Sequence, residues 1–272
     1  MSIEIIGLGL IERSMALTLR QANFWKKNIG TDQNPQNTSR TLEFELVEKI
    51  VSLDVLILQS ELIILAIPVD RIKKMSAEFL EQIPNKSIVF DTGSTKDEIY
   101  QAVADHPNRD RFLSSHLIAD TKYSGLEATF SKLFKGKITI LRQAEYSTLD
   151  ILKTAEKVYT QLRMFLVQMN SKAHDLHLSY ISHFSHVLFF KLARTVLNIE
   201  RDKQNIFHLA VSGFSSTVHL DKKSQDTWIP ISRSNKTNLL KVIETYINQL
   251  STFRTSLQKK QTRNDLPIYE GS

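Results

Sequence analysis

Two glycines one residue apart, Gly7 and Gly9, follow a short apolar run from Ile3 to Ile6 and lead into a helical stretch, Ser14 to Gln21. A strand, a glycine turn and a helix in that order can hold a phosphate. The first glycine makes the tight turn and the second lets the backbone approach a pyrophosphate, while the helix start offers unpaired N–H groups and the positive end of its dipole. The third glycine of the G-x-G-x-x-G spacing is absent, and Glu12 stands in its place. A carboxylate there opposes an incoming phosphate if it faces the ligand, and Arg13 offsets it. Asp32 lies roughly twenty residues further on, the distance at which an acid ends the second strand and takes a ribose 2'-hydroxyl. An acid in that position favours NAD over NADP, whose 2'-phosphate it repels. The alternative is that Asp32 caps a turn ahead of Pro35.

Three other segments carry groups fit for proton transfer or polar binding. Asp91 to Lys96 follows a buried strand and starts a helix, so Ser94 and its neighbouring amides can face a ligand. His116 follows an expected strand around Arg111 to Leu113. An imidazole in such a place can take a hydroxyl proton near neutral pH, as hydride loss to NAD requires, although isolated histidines also serve structural roles. The third segment holds His174, His177, His183 and His186. Histidines at such spacings can hold a metal, but neither a carboxylate pair nor a cysteine completes a ligand set, and His183 and His186 equally suit a cleft lining. No metal is expected.

The elements that must position these groups alternate. Apolar strand-like runs at Ile3 to Ile6, Leu62 to Ile67, Ser87 to Phe90 and Ile138 to Leu141 are interleaved with helical stretches such as Thr38 to Glu45 and Thr148 to Leu162. This pattern predicts an α/β fold: a Rossmann-type, doubly wound parallel sheet with helices on both faces. A strand from Met164 to Met169 closes that domain, residues 1–169. From Ser171 the periods lengthen, with Asp175 to Val196 and Asn235 to Leu257 as long helices, giving an all-α domain over 170–258 and a polar tail over 259–272. Apolar helices such as the one bearing Leu188, Phe189, Phe190, Leu192 and Val196 need a partner surface, for which a homodimer and a core within one chain are the two solutions.

The 272 residues suffice for two such domains, and 42% apolar content suits a globular chain. No apolar run reaches the roughly twenty residues of a membrane span. The N-terminus reads as a strand rather than a signal peptide, and the cysteine count is zero, which together point to the cytoplasm. A net charge of +6 is spread along the chain without a basic stripe. Nucleic acid is therefore not expected, and the charge reads as a solvated surface that draws in anionic small molecules.

The order of these motifs resembles the prephenate dehydrogenase family, which uses NAD to oxidise and decarboxylate prephenate to 4-hydroxyphenylpyruvate in tyrosine biosynthesis. The resemblance covers nearly the whole chain: Gly7 to Ile11, Asp32 with Asn34-Pro35, Ala66 to Asp70, Asp91 to Lys96, His116, Ser124-Gly125, His174-Asp175, Ser182-His183 with His186, Gly213-Phe214 and Trp228. It implies a Rossmann domain, a helical dimerisation domain and an active site in the cleft between them. By the same resemblance His116 accepts the proton of the substrate's ring hydroxyl and Ser94 hydrogen-bonds near it. His186, His183, His219 and Trp228 belong to the substrate side, and Gly7, Gly9, Leu10, Ile11, Asp32, Ile67 and Pro68 to the cofactor side.

Departures from the family pattern fall on functional positions. Glu12 and Arg13 replace a glycine pair, Leu117 a proline, Asp120 a glycine and Lys122 a glutamate. His219 replaces the arginine that grips the substrate's carboxylate. A histidine offers fewer donors and a charge that titrates, so weak, acid-favoured activity or none is expected. Each replacement is reachable by one G-to-A or C-to-T base change, which suggests drift under relaxed selection. Arogenate dehydrogenase, or an inactive nucleotide-binding dimer, are the competing functions.

Overall fold

The computed structural model describes residues 2–25, 27–119, 133–142, 144–202 and 225–258. Eight strands form one sheet in the order β3-β2-β1-β4-β5-β6-β7-β8. They are β1 Ser2–Ile6, β2 Lys27–Thr31, β3 Lys49–Ile50, β4 Leu62–Leu65, β5 Ile88–Asp91, β6 Phe112–Ile118, β7 Ile138–Arg142 and β8 Phe165–Met169. The interleaved helices are α1 Leu10–Gln21, α2 Pro35–Glu43, α3 Leu53–Gln59, α4 Val69–Gln82, α5 Asp97–Val103 and α6 Leu149–Gln161. The first six strands are parallel in the order 3-2-1-4-5-6, which is the doubly wound arrangement.

Two apolar layers sandwich the sheet. On one face Met15, Ala16 and Leu19 of α1 and Ile151, Ala155 and Val158 of α6 pack on Ile3, Ile5, Ile64, Phe90 and Leu113. On the other, Leu56, Ile72, Phe79 and Ile99 from α3, α4 and α5 pack on Ile63, Leu65, Val89 and Phe112. Strand side chains alternate between faces, so the all-apolar run of β4, Leu62–Leu65, fits a strand covered on both sides.

The sheet departs from the expected all-parallel form at one place. β7 runs antiparallel to β6, with His116 opposite Ile140 and Ser114 opposite Arg142, and β8 then adds parallel to β7. Mixed edges of this kind are common on doubly wound sheets, and apolar pattern alone does not report strand direction. Helix α1 begins at Leu10 rather than Ser14, because Gly9 takes an extended conformation and serves as its N-cap.

After β8, Asn170 caps the next helix by accepting the Ala173 N–H at 2.9 Å. The expected single helix from Asp175 to Val196 is three consecutive pieces: α7 Ser171–Leu178, a π-helical turn Ser179–His183 and α8 Phe184–Asp202. The extra residue of a π turn rotates α8 about its axis relative to α7, which changes the face that His183 and His186 present. Helices α9 Gln225–Ser234 and α10 Lys236–Gln258 complete the described chain. Trp228 and Ile231 of α9 are buried within the apolar layer of α4 and α5, joining the helical part to the sheet.

Candidate active site

The glycine turn lies at the carboxyl end of β1, between the ends of β2 and β4 where strand order reverses. Gly7 has φ 91°, and a Cβ there would strike the Ala66 backbone and lie 2.9 Å from Ile67 Cγ2. Only glycine tolerates both conditions. Asp32, just past β2, accepts the Leu8 N–H at 2.7 Å and the Asn34 N–H at 2.7 Å, with Asn37 Nδ2 at 3.0 Å. One carboxylate thus braces the following turn and faces the glycine turn, so the two roles open for Asp32 are compatible. Arg13 is buried and donates from Nη1 to the Leu8 carbonyl at 2.8 Å, which clamps the loop from the opposite side.

Fit to a dinucleotide turns on Gly9. A Cβ on Gly9 would approach only the Glu12 carboxyl, with Oε2 2.5 Å away, and no backbone lies close. The cradle for a pyrophosphate is therefore present, and the tip of a flexible side chain rests in it. Leu10 and Ile11 follow as the first two residues of α1, whose N–H groups have no partner within the helix. Ile67 and Pro68 border the turn from the β4–α4 connection.

His116 lies within β6, not after it as expected, because the strand extends to Ile118. Strand alternation sends its ring to the same face as Phe112 and Ser114, toward α5 and α7. Its Nδ1 lies 2.9 Å from His174 Nε2, and His174 Nδ1 lies 2.7 Å from Asp175 Oδ1. A carboxylate only accepts, so His174 carries its hydrogen on Nδ1 and presents Nε2 as an acceptor. His116 in turn carries its hydrogen on Nδ1, which leaves the Nε2 lone pair as a base. Burial, then the neighbouring His174 and Lys96, hold the His116 pKa well below its usual value, so the ring is neutral at pH 7. His174 is likewise depressed, mainly by burial.

Asp175 does a second job. Its oxygens accept the Lys96 N–H at 2.9 and 3.1 Å and the Asp97 N–H at 2.9 Å, capping α5 from the helical domain. Burial raises its pKa, partly countered by those N–H groups and by Lys96. The Lys96 ammonium is fully buried and pairs with Asp91, whose other oxygen accepts Ser114 Oγ at 2.5 Å. Arg142 faces the same layer, opposite Ser114, and none of its guanidinium nitrogens has a hydrogen-bond partner among the described residues. Burial lowers its pKa to about 10 against the pull of Asp175 and Asp91.

Ser94 sits half-buried in the β5–α5 connection, and it is His174, rather than Ser94, that holds Nδ1 of His116. His183 is buried, and Asn235 Nδ2 lies 3.0 Å from its Nδ1 while reaching the Asp175 carbonyl at 2.6 Å. Burial lowers the His183 pKa to about 4, opposed by Asp175 and the Ser94 backbone. His186 donates from Nδ1 to the Ser182 carbonyl at 2.9 Å and stacks on Trp228, ring centroids 3.5 Å apart. His177 is exposed and stands apart. Among the described residues no group of three or more histidine, cysteine or acidic side chains is placed to hold a metal. His219, Asp120, Lys122, Ser124, Gly125, Gly213 and Phe214 lie outside the described residues.

The structural work of Lys96, Asp175 and Arg142 escaped the sequence reading. For Arg142 a signal existed, since a cation directly after the apolar run Ile138 to Leu141 continues a buried strand. For Asp175 adjacency to His174 was visible, but its reach to α5, 78 residues away, was not.

A doubly wound sheet with a glycine turn, an acid past β2 and a buried histidine relay, joined to helices, defines the class of dinucleotide-binding folds with a helical second domain. Residues 15–167 match the prephenate dehydrogenase nucleotide-binding domain and residues 170–267 match the prephenate dehydrogenase dimerization domain. The chain belongs to the prephenate dehydrogenase family, with that family's nucleotide-binding and dimerization domains. The glycine turn lies ahead of the first matched residue. Prephenate dehydrogenase of Bacillus subtilis is 25% identical over 97% of this chain and 72% of its own length. Cyclohexadienyl dehydrogenase of Zymomonas mobilis is 23% identical over 94% of this chain and 88% of its own length. The crystal structure of prephenate dehydrogenase from A. aeolicus, in complex with hydroxyphenyl propionate and NAD+, superposes with a TM-score of 0.85 at 23% identity, covering 95% of this chain and 91% of that one.

Proposed function

We propose that the protein oxidises and decarboxylates prephenate to 4-hydroxyphenylpyruvate, with His116 as the base. The observation that carries this reading is the Asp175–His174–His116 relay, which leaves one imidazole nitrogen free as an acceptor at the carboxyl edge of the sheet. NAD, when bound, supplies the hydride acceptor. Nε2 of His116 takes the proton of the ring hydroxyl as that carbon is oxidised. The bond to the ring carboxylate then breaks, its electron pair entering the ring, and carbon dioxide leaves as the ring becomes aromatic. A neutral, fixed imidazole meets the needs of the base, because correct placement supplies much of the rate.

Cofactor contacts fall to Gly7, Gly9, Leu10, Ile11, Asp32, Ile67 and Pro68. Ser94, His183, His186 and Trp228 line the substrate side, and His219, outside the described residues, takes by family resemblance the role of the carboxylate-binding arginine. Residues 1–169 form the nucleotide-binding domain and 170–258 the helical dimerisation and substrate domain; 259–272 lie outside the described residues. A homodimer is supported by exposed apolar side chains on the helical part, among them Ile181, Ile247, Leu250 and Leu257. A cytoplasmic location is supported by the absence of cysteine. No helix among the described residues is long and apolar enough to cross a membrane.

The test is NADH formation by the purified protein with prephenate and, separately, with arogenate. Turnover of prephenate is expected. Turnover of arogenate alone would move the substrate assignment, and turnover of neither by a protein that binds NAD would make it a non-catalytic dimer.

A further inference from the structure

We propose that Glu12 is a proton-operated gate on the cofactor site, its carboxylate resting where the pyrophosphate of NAD must lie and yielding that place when it gains a proton. Gly9 is the N-cap of α1, so Glu12 occupies the third helical position. A glutamate in that position turns back to the N-cap N–H, as one half of a capping box. Here the backbone N–H groups of Gly9 and Glu12 both favour its charged form. These are the groups and the dipole end that attract a phosphate in dinucleotide folds. The side chain has thus become an intramolecular stand-in for the ligand's anion, set against the face of Gly9 that lies free of backbone.

The surroundings make that anion easy to neutralise. Glu12 is buried, and burial, followed at longer range by the charge of Asp32, raises its pKa to about 7 against the pull of its N–H partners and Arg13. Among the described residues the charged groups facing this corner are Arg13 on the same helix, Asp32 past β2, and Arg40 of α2, which acts on Arg13. Arg13 is held by the Leu8 carbonyl, so its guanidinium is anchored to the turn itself. A pyrophosphate entering beside Glu12 adds negative charge and raises the affinity of Glu12 for its proton further. Binding therefore takes up a proton, and affinity for the nucleotide falls as pH rises through 7.

This inference rests on the NAD assignment, and the experiment separates the two. Dissociation constants for NAD and for ADP-ribose are measured by calorimetric titration between pH 6 and pH 8 on the wild-type protein, Glu12→Gln and Glu12→Gly. A single linked proton with a midpoint near 7 makes the wild-type Kd rise about tenfold across that interval, with about half a proton taken up at pH 7. Both variants are expected to show a flat profile, and Glu12→Gln nearly keeps the size of the side chain should the glycine variant fold poorly. A flat wild-type profile, or a slope that persists in Glu12→Gln, overturns the gate and makes Glu12 a helix cap only. A slope with NAD but not with ADP-ribose, which carries the pyrophosphate and lacks nicotinamide, assigns the proton to the histidine cluster and also overturns it. Failure of every variant to bind either nucleotide at any pH overturns the cofactor assignment itself, and the gate with it.

Discussion

Asp175→Asn keeps the shape of the side chain and removes its charge, which separates the relay from mere packing. The carboxylate accepts from three donors: His174 Nδ1, Lys96 N and Asp97 N. An amide has one oxygen, so one of two faults must follow. If the oxygen stays toward α5, the NH2 group donates to His174 Nδ1, both histidines reverse their tautomers and Nε2 of His116 becomes a donor. If the oxygen stays toward His174, the NH2 group meets two helix N–H groups. The first fault removes the base, and a positioned general base contributes about 10²–10⁴-fold, so kcat is expected to fall by about that factor with KM changing far less. The second leaves buried donors and the Lys96 and Arg142 charges poorly matched, which costs about 3–5 kcal/mol. Unfolding entropy for 272 residues is about 0.57 kcal/mol per kelvin, so Tm should drop by roughly 5–9 °C. Steady-state kinetics and thermal unfolding measure both. A variant with kcat within about threefold of wild type and an unchanged Tm would show neither fault and refute both roles given to Asp175.

The pH dependence of kcat/KM should show its acid limb well below pH 6.5, because the unprotonated His116 is the active form and its pKa is depressed, first by burial; a limb centred at or above 6.5 would mean that another group titrates. Stability should fall with acid. His116, His174 and His183 are held neutral when folded and gain protons on unfolding below about pH 6.5. Glu12, whose folded pKa is raised to about 7, offsets about one of those protons, so near pH 5.5 the net loss is about 2 kcal/mol per pH unit, measurable by urea unfolding. His219→Arg should raise kcat/KM at least about tenfold, near 1.4 kcal/mol of recovered transition-state binding; no change would show that His219 does not limit turnover.

Several parts of this architecture were legible along the chain because they are local. The turn at Gly7 is written in one residue, since a positive φ and an overhead backbone both demand glycine. The strands Leu62–Leu65 and Ile88–Asp91 announce themselves as apolar runs, and Asn170 marks the start of α7 by its capping chemistry. His116 was recognisable as a candidate base, but its strand was assigned too short. The serine and the leucine beside it do not look like a strand end, and only pairing with β7 carries the ladder to Ile118.

What the residues determined by themselves is the alternation of elements and the chemical kind of each group: a glycine turn that can receive an anion, an acid past the second strand, an imidazole at the carboxyl edge. These follow from dihedral preference, spacing and functional group, which act over a few residues. Tertiary structure alone decided that Glu12 folds back onto Gly9, that β7 reverses direction, and that His116 meets His174 across 58 positions of chain. The reason is physical. The direction of a side chain, and the partner that sets a tautomer or displaces a proton, depend on which elements burial presses together, and no local pattern encodes that choice.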